Sequence, residues 1–201
     1  MKKIFLFIFL FFISHLIFSQ KKDINQYFKI FQQTEEKKLN PSNNQKITFT
    51  ILTTKNSTNF LEANAKDVSN EGEIHLKSYQ MRVFETKNKK NIIVVFGMNC
   101  WTGCVSNINE MYFFDENMKD ITKKILPQKK IIDYFKKFVK KEVQIENAFL
   151  ADFYDDNGTI KLYLSAHYLT IKEQEIIDNT AFLVFDAKKG TFNFVEQISK
   201  K

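Results

Sequence analysis

Arginine is almost missing from this chain. Of the 30 basic residues, Arg82 is the only arginine and the others are lysine. The guanidinium group is the side chain that bridges a phosphate or a guanine base with two parallel hydrogen bonds, and lysine does not replace it in that role. The shortage of arginine therefore argues against sequence-specific recognition of nucleic acid. Diffuse attraction for anionic polymers or lipid headgroups stays open, because the formal net charge is +7.

Glycine and proline are also scarce, with five and two residues among 201. The sequence has no Gly/Ser-rich or Pro-rich linker, so nothing in it marks a second domain. It also lacks a phosphate-binding glycine loop and the zinc motif His-Glu-X-X-His. The sequence accordingly predicts neither a cofactor nor a metal ion. An enzyme is less expected than a binding protein, although paired catalytic carboxylates would leave no local signature.

Only one long apolar run is present, and it stands at the start of the chain. Lys2 and Lys3 precede it, and the small residue Ser19 ends it. This order is typical of a cleavable secretory signal peptide. The sequence therefore predicts a signal peptide over residues 1–19 and a single domain over 20–201, which works in the periplasm or outside a bacterial cell. Loss of the two lysines lowers the formal charge from +7 to +5.

An uncleaved membrane anchor is the alternative for this run. The apolar stretch 4–18 has 15 residues and is interrupted by Ser14 and His15, whereas a spanning helix needs about 20 apolar residues. The comparison favours a signal peptide, and the sequence predicts no transmembrane helix after cleavage.

Most of the remaining chain has the pattern of β-strands. Eight segments are rich in β-branched and aromatic residues or alternate between apolar and polar residues. They are 47–54, 79–86, 91–98, 110–115, 149–155, 159–168, 180–186 and 191–196. Asn157-Gly158 stands between two of them, and Asn-Gly is the strongest short signal for a hairpin. The predicted fold class is α+β: a curved antiparallel β-meander of about six to eight strands, forming a sandwich or a partial barrel.

Helical periodicity is clear in two places. Apolar residues recur every three or four positions in 23–38, which predicts an N-terminal amphipathic helix. A second helix is predicted over 128–142, after Pro127, with its apolar side packed on the sheet. A third, short helix is predicted over 56–66, and the polar stretch 67–77 is predicted to be a loop.

The helix predicted over 128–142 has lysines along its polar side. They are Lys129, Lys130, Lys136, Lys137, Lys140 and Lys141. Such a face is typical of a docking surface for anionic envelope polymers or lipid headgroups. An ordinary solvated helix face in a lysine-rich protein is the interpretation that the sequence favours over docking.

The two cysteines, Cys100 and Cys104, enclose Trp101 in the pentapeptide Cys-Trp-Thr-Gly-Cys. Predicted export favours a structural disulfide, which would fix the loop that carries Trp101. This ring is expected either as an exposed contact residue or as part of the core. A redox pair is less favoured because three residues separate the cysteines, where redox motifs have two. Zinc is also less favoured, because no paired histidine motif accompanies the two thiols.

Two further patterns bear on chemistry. The run 155–159 resembles part of a calcium loop but lacks the first and last acidic ligands, so a hairpin turn is the better interpretation. His167 lies on the more polar face of a predicted strand, without a nucleophile motif nearby. The functional prediction is an exported, non-enzymatic binding or accessory protein. The alternatives are an envelope hydrolase with His167 near its site and a membrane-peripheral protein that docks through 128–142.

Overall fold

The computed structural model of the chain describes residues 22–39, 48–68, 74–99, 110–139, 149–154, 158–164 and 180–196. Within these ranges the chain forms three helices and nine strands. The helices are α1 (Ile24–Leu39), α2 (Thr122–Ile125) and α3 (Gln128–Phe135). The strands are β1 (Thr48–Asn56), β2 (Phe60–Val68), β3 (Ile74–Glu85), β4 (Asn91–Asn99), β5 (Met111–Asp115), β6 (Phe149–Phe153), β7 (Thr159–Leu164), β8 (Ala181–Asp186) and β9 (Thr191–Glu196).

The strands form two antiparallel meanders. One sheet has the order β1-β2-β3-β4-β5 and the other has the order β6-β7-β8-β9, so within each sheet every strand pairs with its neighbours along the chain. Connections of this kind need only hairpin turns. The predicted α+β antiparallel meander is therefore confirmed, as two separate sheets in place of a closed barrel.

Aromatic rings from the two sheets meet in the main core. Phe96 of the five-stranded sheet stacks on Phe153 of the four-stranded sheet, with 4.5 Å between ring centroids. Phe113 meets Phe192 edge to face at 5.2 Å. Such pairs contribute roughly 0.5–1.5 kcal/mol beyond the burial of their surface. These contacts hold the two sheets face to face as a sandwich.

Helix α1 covers the other face of the five-stranded sheet. Asp23 and Gln26 begin it with a capping box: the Asp23 carboxylate accepts the Gln26 N–H at 2.8 Å, and the Gln26 side chain accepts the Asp23 N–H at 3.0 Å. Its apolar side, which includes Tyr27 and Phe31, is buried against β2, β3 and β4. The helix predicted over 23–38 is confirmed.

The helix predicted over 56–66 is wrong. Those residues end β1 and begin β2, which supplies the ninth strand. Leu61, Ala63 and Ala65 alternate toward α1 and are each 1% exposed. Alanine favours helices in isolation, but cross-strand pairing and burial under α1 outweigh that preference here. The loop predicted over 67–77 is wrong at both ends, because β2 continues to Val68 and β3 begins at Ile74.

The second predicted helix is confirmed at its start but not at its end. Helix α3 begins at Gln128 and ends at Phe135, whereas the sequence predicted a helix to residue 142. The Lys136 N–H still donates four residues back, to the Ile132 carbonyl at 2.9 Å. The next two N–H groups bond three residues back: Lys137 donates to the Tyr134 carbonyl at 3.3 Å and Phe138 to the Phe135 carbonyl at 3.0 Å. This tighter turn ends the α-helical ladder. Residues 140–142 lie outside the described ranges.

Candidate functional site

The segment between β5 and α3 begins with a tight turn. The Asp115 carboxylate accepts the N–H groups of Asn117 and Lys119 at 2.9 and 3.0 Å. The Asp115 N–H also donates to the Lys119 carbonyl at 3.0 Å. An aspartate that binds backbone N–H groups ahead of it is a standard way to stabilise a turn. The turn fixes the backbone from which the exposed Lys119 side chain projects.

Helix α2 is a single turn anchored to the core. The Thr122 hydroxyl accepts the Phe113 N–H of β5 at 2.9 Å. Ile125 packs into the main core and is 6% exposed. With one side of this turn held inward, Lys123 and Lys124 lie on its solvent side and both are exposed.

Contacts with the core also fix the orientation of helix α3 about its own axis. Ile131 and Phe135 are fully buried in the main core. The Tyr134 hydroxyl donates to the Thr180 carbonyl at 3.2 Å, which ties the helix to the start of β8. The opposite side of α3 and of the turn after it carries four exposed lysines. They are Lys129, Lys130, Lys136 and Lys137.

These segments together form a lysine surface, by which we mean the exposed lysines of the turn, α2, α3 and the turn that follows α3. Its members are Lys119, Lys123, Lys124, Lys129, Lys130, Lys136 and Lys137. An open groove of about 840 Å³ runs between α2 and α3, lined by four of the seven. A second depression of about 540 Å³ lies beside the turn. Lys123 lines both, so the two hollows lie next to each other at that residue.

Positive charge dominates this surface. Three aspartates lie among the seven lysines, namely Asp115, Asp120 and Asp133. Among the described residues, no ion pair joins any of the seven lysines to a carboxylate. Lys137 lies over the Tyr134 ring, 5.4 Å from its centroid. The lysine charges are therefore open to a ligand that comes from solvent.

The first turn of α3 carries lysines where acidic residues would stabilise the helix. A helix N-terminus carries a partial positive charge, so acidic residues stabilise it and basic residues destabilise it by roughly 0.3–1 kcal/mol each. No acidic residue lies in the first turn of α3, whereas Lys129 and Lys130 do. The positive charges of these two lysines therefore lie beside the partial positive charge of the helix N-terminus, which repels them. An anion bound in the groove would relieve this repulsion.

The structure describes four of the six lysines predicted as contacts. Lys129, Lys130, Lys136 and Lys137 are exposed on the side of the segment opposite its buried residues, and their role as contacts stays a prediction. The other predicted site residues lie outside the described ranges, so the disulfide, the aromatic contact, the two further lysines and the hydrolase alternative all stay predictions. These residues are Cys100, Trp101, Cys104, Lys140, Lys141 and His167.

Sequence reasoning missed the part of the lysine surface that precedes α3. Lys119, Lys123 and Lys124 fall outside every helix and strand that the sequence predicts. A signal was present, because Ile121 and Ile125 stand four residues apart around Lys123 and Lys124. This spacing places two apolar side chains on one side of a helical turn. One turn is too short for a reliable prediction from periodicity.

Comparisons with protein-family models, curated proteins and solved structures gave no match to this chain. In the part of the chain that the structure describes, no cluster of three or more His, Cys, Asp or Glu residues is placed to hold a metal ion. No helix of those ranges is long and apolar enough to span a membrane.

Proposed function

We propose that this protein is a non-enzymatic binding module that docks on an acidic polymer through its lysine surface. The observation that carries this proposal is that two helices and a turn bring exposed lysines to two neighbouring hollows. Lysines scattered on a solvated surface would have no reason to share a concave site. Lysine-lined concavities raise the local concentration of anionic ligands and increase their association rate.

The geometry favours a polymer over a membrane. A helix that lies in a bilayer interface inserts its apolar side among the acyl chains. The apolar side of α3 is already packed into the main core, where Ile131 and Phe135 are fully buried. The lysine surface therefore offers positive charge without an insertable apolar side. A long acidic chain can follow such a groove and contact several lysines in turn.

The predicted export signal over residues 1–19 supplies the setting for this proposal. An exported bacterial protein meets acidic polysaccharides and other anionic envelope polymers. The proposed role is that of an accessory protein that holds itself, or a partner, on such a polymer. The predicted loop with Trp101 would add an aromatic contact beside the electrostatic one.

Fluorescence anisotropy with labelled polygalacturonate tests the proposal, and neutral dextran serves as the uncharged probe. A quadruple variant, in which Lys129, Lys130, Lys136 and Lys137 become Gln, should bind polygalacturonate about tenfold or more weakly at low salt. The matched control changes four exposed lysines elsewhere to Gln and has the same net charge. Those lysines are Lys55, Lys87, Lys90 and Lys188. The control should keep the affinity of the natural protein within about twofold.

Two results would remove this proposal. Equal loss of affinity in the quadruple variant and in its control would show that net charge alone, and not the lysine surface, attracts the polymer. Binding to vesicles with anionic headgroups, without binding to polygalacturonate, would favour the membrane-peripheral alternative in its place.

A further inference from the structure

A carboxylate lies among the lysines of α3, so the lysine surface is not uniformly positive. Asp133 lines the groove between α2 and α3 together with Lys129, Lys130 and Lys136. All four side chains are exposed, and their positions fall within one described stretch, 110–139. A carboxylate in such a groove repels any anionic group of a ligand that comes to lie opposite it. The position of Asp133 therefore affects which acidic polymer fits the groove.

Helical geometry places Asp133 between lysines on both sides. The Lys136 N–H donates to the Ile132 carbonyl at 2.9 Å, so the α-helical hydrogen bonds reach this residue. With a rise of about 1.5 Å per residue, Lys136 lies about 10.5 Å from Lys129 along the helix axis. Asp133 comes four residues after Lys129 and three before Lys136, spacings that bring side chains to the same side of a helix. The order of charges along α3 is therefore positive, negative, positive.

Asp133 differs from the two other aspartates of the lysine surface in what its carboxylate contacts. Asp115 accepts two backbone N–H groups of its turn, and Asp120 accepts the Thr122 N–H at 2.8 Å. Those two carboxylates hold the turn and the start of α2. Within the described ranges, Asp133 forms no ion pair and no hydrogen bond. Its carboxylate is therefore open to a ligand in the groove.

A carboxylate in this position discriminates between the units of a polymer. An acidic unit opposite Asp133 meets a like charge, which lowers the affinity. An uncharged sugar in the same place donates a hydroxyl hydrogen bond to the carboxylate, and hydrogen bonds to ionised groups are roughly twice as strong as neutral ones. The axial distance from Lys129 to Lys136 is about the length of a disaccharide in an extended polysaccharide. Alternating acidic and uncharged sugars therefore match the order of charges on α3.

We infer, building on the proposed polymer docking, that the lysine surface prefers a polysaccharide with a carboxylate on every second sugar. Lys129 and Lys130 bind one carboxylate, Lys136 binds the next, and the uncharged sugar between them donates a hydrogen bond to Asp133. A polysaccharide with a carboxylate on every sugar reaches the same lysines, but one of its carboxylates then lies opposite Asp133. Asp133 is in this way a specificity-determining residue of the surface.

Fluorescence anisotropy with labelled fragments of hyaluronate and polygalacturonate, matched in the number of sugars, tests this inference. Hyaluronate carries a carboxylate on every second sugar, whereas polygalacturonate carries one on every sugar. At low salt the natural protein should bind hyaluronate at least as tightly as polygalacturonate, although hyaluronate has the lower charge density. Attraction by charge density alone would give the opposite order.

Asp133→Asn should act differently on the two polymers. Removal of the like charge should raise the affinity for polygalacturonate about threefold. The affinity for hyaluronate should stay the same or fall, because the ionised acceptor for its hydroxyl group is lost. The matched control is Glu62→Gln, which removes one negative charge from β2, outside the lysine surface. It should change both affinities by the same factor, below about twofold.

The inference is overturned if Asp133→Asn raises both affinities by the same factor, because Asp133 then acts through net charge alone. It is also overturned if the natural protein binds polygalacturonate more tightly than hyaluronate. The docking proposal survives either result, provided that the quadruple variant loses polygalacturonate binding and its equally charged control does not. If the natural protein binds neither polymer, the docking proposal fails and this inference fails with it.

Discussion

At the scale of single residues, Gly158 shows how tightly the β6–β7 hairpin is packed. Its φ is +97°, a backbone conformation that residues other than glycine rarely adopt. An added Cβ would lie 2.8 Å from the Phe84 ring and 3.3 Å from Phe185. We expect Gly158→Ala to lower the free energy of unfolding by about 1–3 kcal/mol, through both strain and overpacking. Urea denaturation monitored by circular dichroism measures this change.

Gly97 is the matched control for that substitution. It is also buried, but an added Cβ would meet its nearest atoms at 3.6 Å or more, which is ordinary contact. Gly97→Ala should therefore change the free energy of unfolding by less than about 1 kcal/mol. Equal destabilisation by the two substitutions would contradict the account of the hairpin.

Asp186 gives the second prediction at this scale. Its carboxylate accepts the backbone N–H groups of Lys188 and Lys189 at 3.0 and 3.1 Å in the β8–β9 turn. The bond from the Lys189 N–H is the main reason why the pKa of Asp186 is lower than usual. A lowered pKa stabilises the folded state above the unfolded value, near pH 4, and this stabilisation is lost as the pH falls through the folded value.

Asp186→Asn tests this directly, because Asn keeps a hydrogen-bond acceptor without the charge. The thermal midpoint of the natural protein should exceed that of the variant at pH 6. The gap should close as the pH falls from about 4 toward 2. A gap that stays constant over this range would mean that the carboxylate charge does not stabilise the turn.

At the scale of elements, the secondary structure could be predicted from the sequence wherever one hydrophobic spacing extends over the whole segment. Helix α1 has its apolar residues at helical spacing and a capping box at its start, so local and tertiary preferences agree. Strand β2 was missed because Ala63 and Ala65 are good helix formers. In the structure these small side chains let α1 pack close to the sheet, so it is the contact with α1 that favours alanine in this strand. A contact between segments this far apart is not visible in local propensity.

Helix α3 shows the opposite error, since its predicted end was too late. The apolar spacing continues through Phe138 and Val139, which pack against the main core as predicted. However, they do so from a tighter turn, in which the helical ladder has already ended. Apolar spacing reports which side chains are buried and does not report which hydrogen bonds hold them.

The charge order in α3 gives a prediction at this scale. Lys129→Glu with Lys130→Glu should raise the free energy of unfolding by about 0.5–1 kcal/mol, because acidic residues suit the helix N-terminus. Lys136→Glu with Lys137→Glu, next to the C-terminal end, should leave it unchanged or lower it. Both pairs should weaken polygalacturonate binding. Urea midpoints and anisotropy, measured on the same samples, separate the two effects.

We expect the two pairs of substitutions to lose similar amounts of binding while only the first-turn pair stabilises the fold. This result would show that the lysines of the first turn act in docking although they destabilise the helix. If Lys129→Glu with Lys130→Glu lowers the unfolding free energy instead, the dipole argument is wrong. If that pair binds polygalacturonate as the natural protein does, the first turn of α3 is no part of the docking surface.

At the scale of the whole molecule, the lysine surface depends on how segments from different elements are brought together. The lysines of 128–142 were predicted from one helix, but their groove needs α2, which is held by Ile125 in the core. Phe96 and Phe153 can stack only because β4 and β6 lie on facing sheets. Each sheet has strand signals in the sequence, but the facing of one sheet on the other has no local signature.

The central claim is that the lysine surface docks on an acidic polymer, and the salt dependence of polygalacturonate binding tests it most directly. Each lysine that contacts the polymer releases counterions on binding, so affinity falls as salt rises. With Lys129, Lys130, Lys136 and Lys137 changed to Gln, the slope of log affinity against log salt should become shallower by on the order of 2. The equally charged control should keep the slope of the natural protein. Identical slopes in all three proteins would contradict the account.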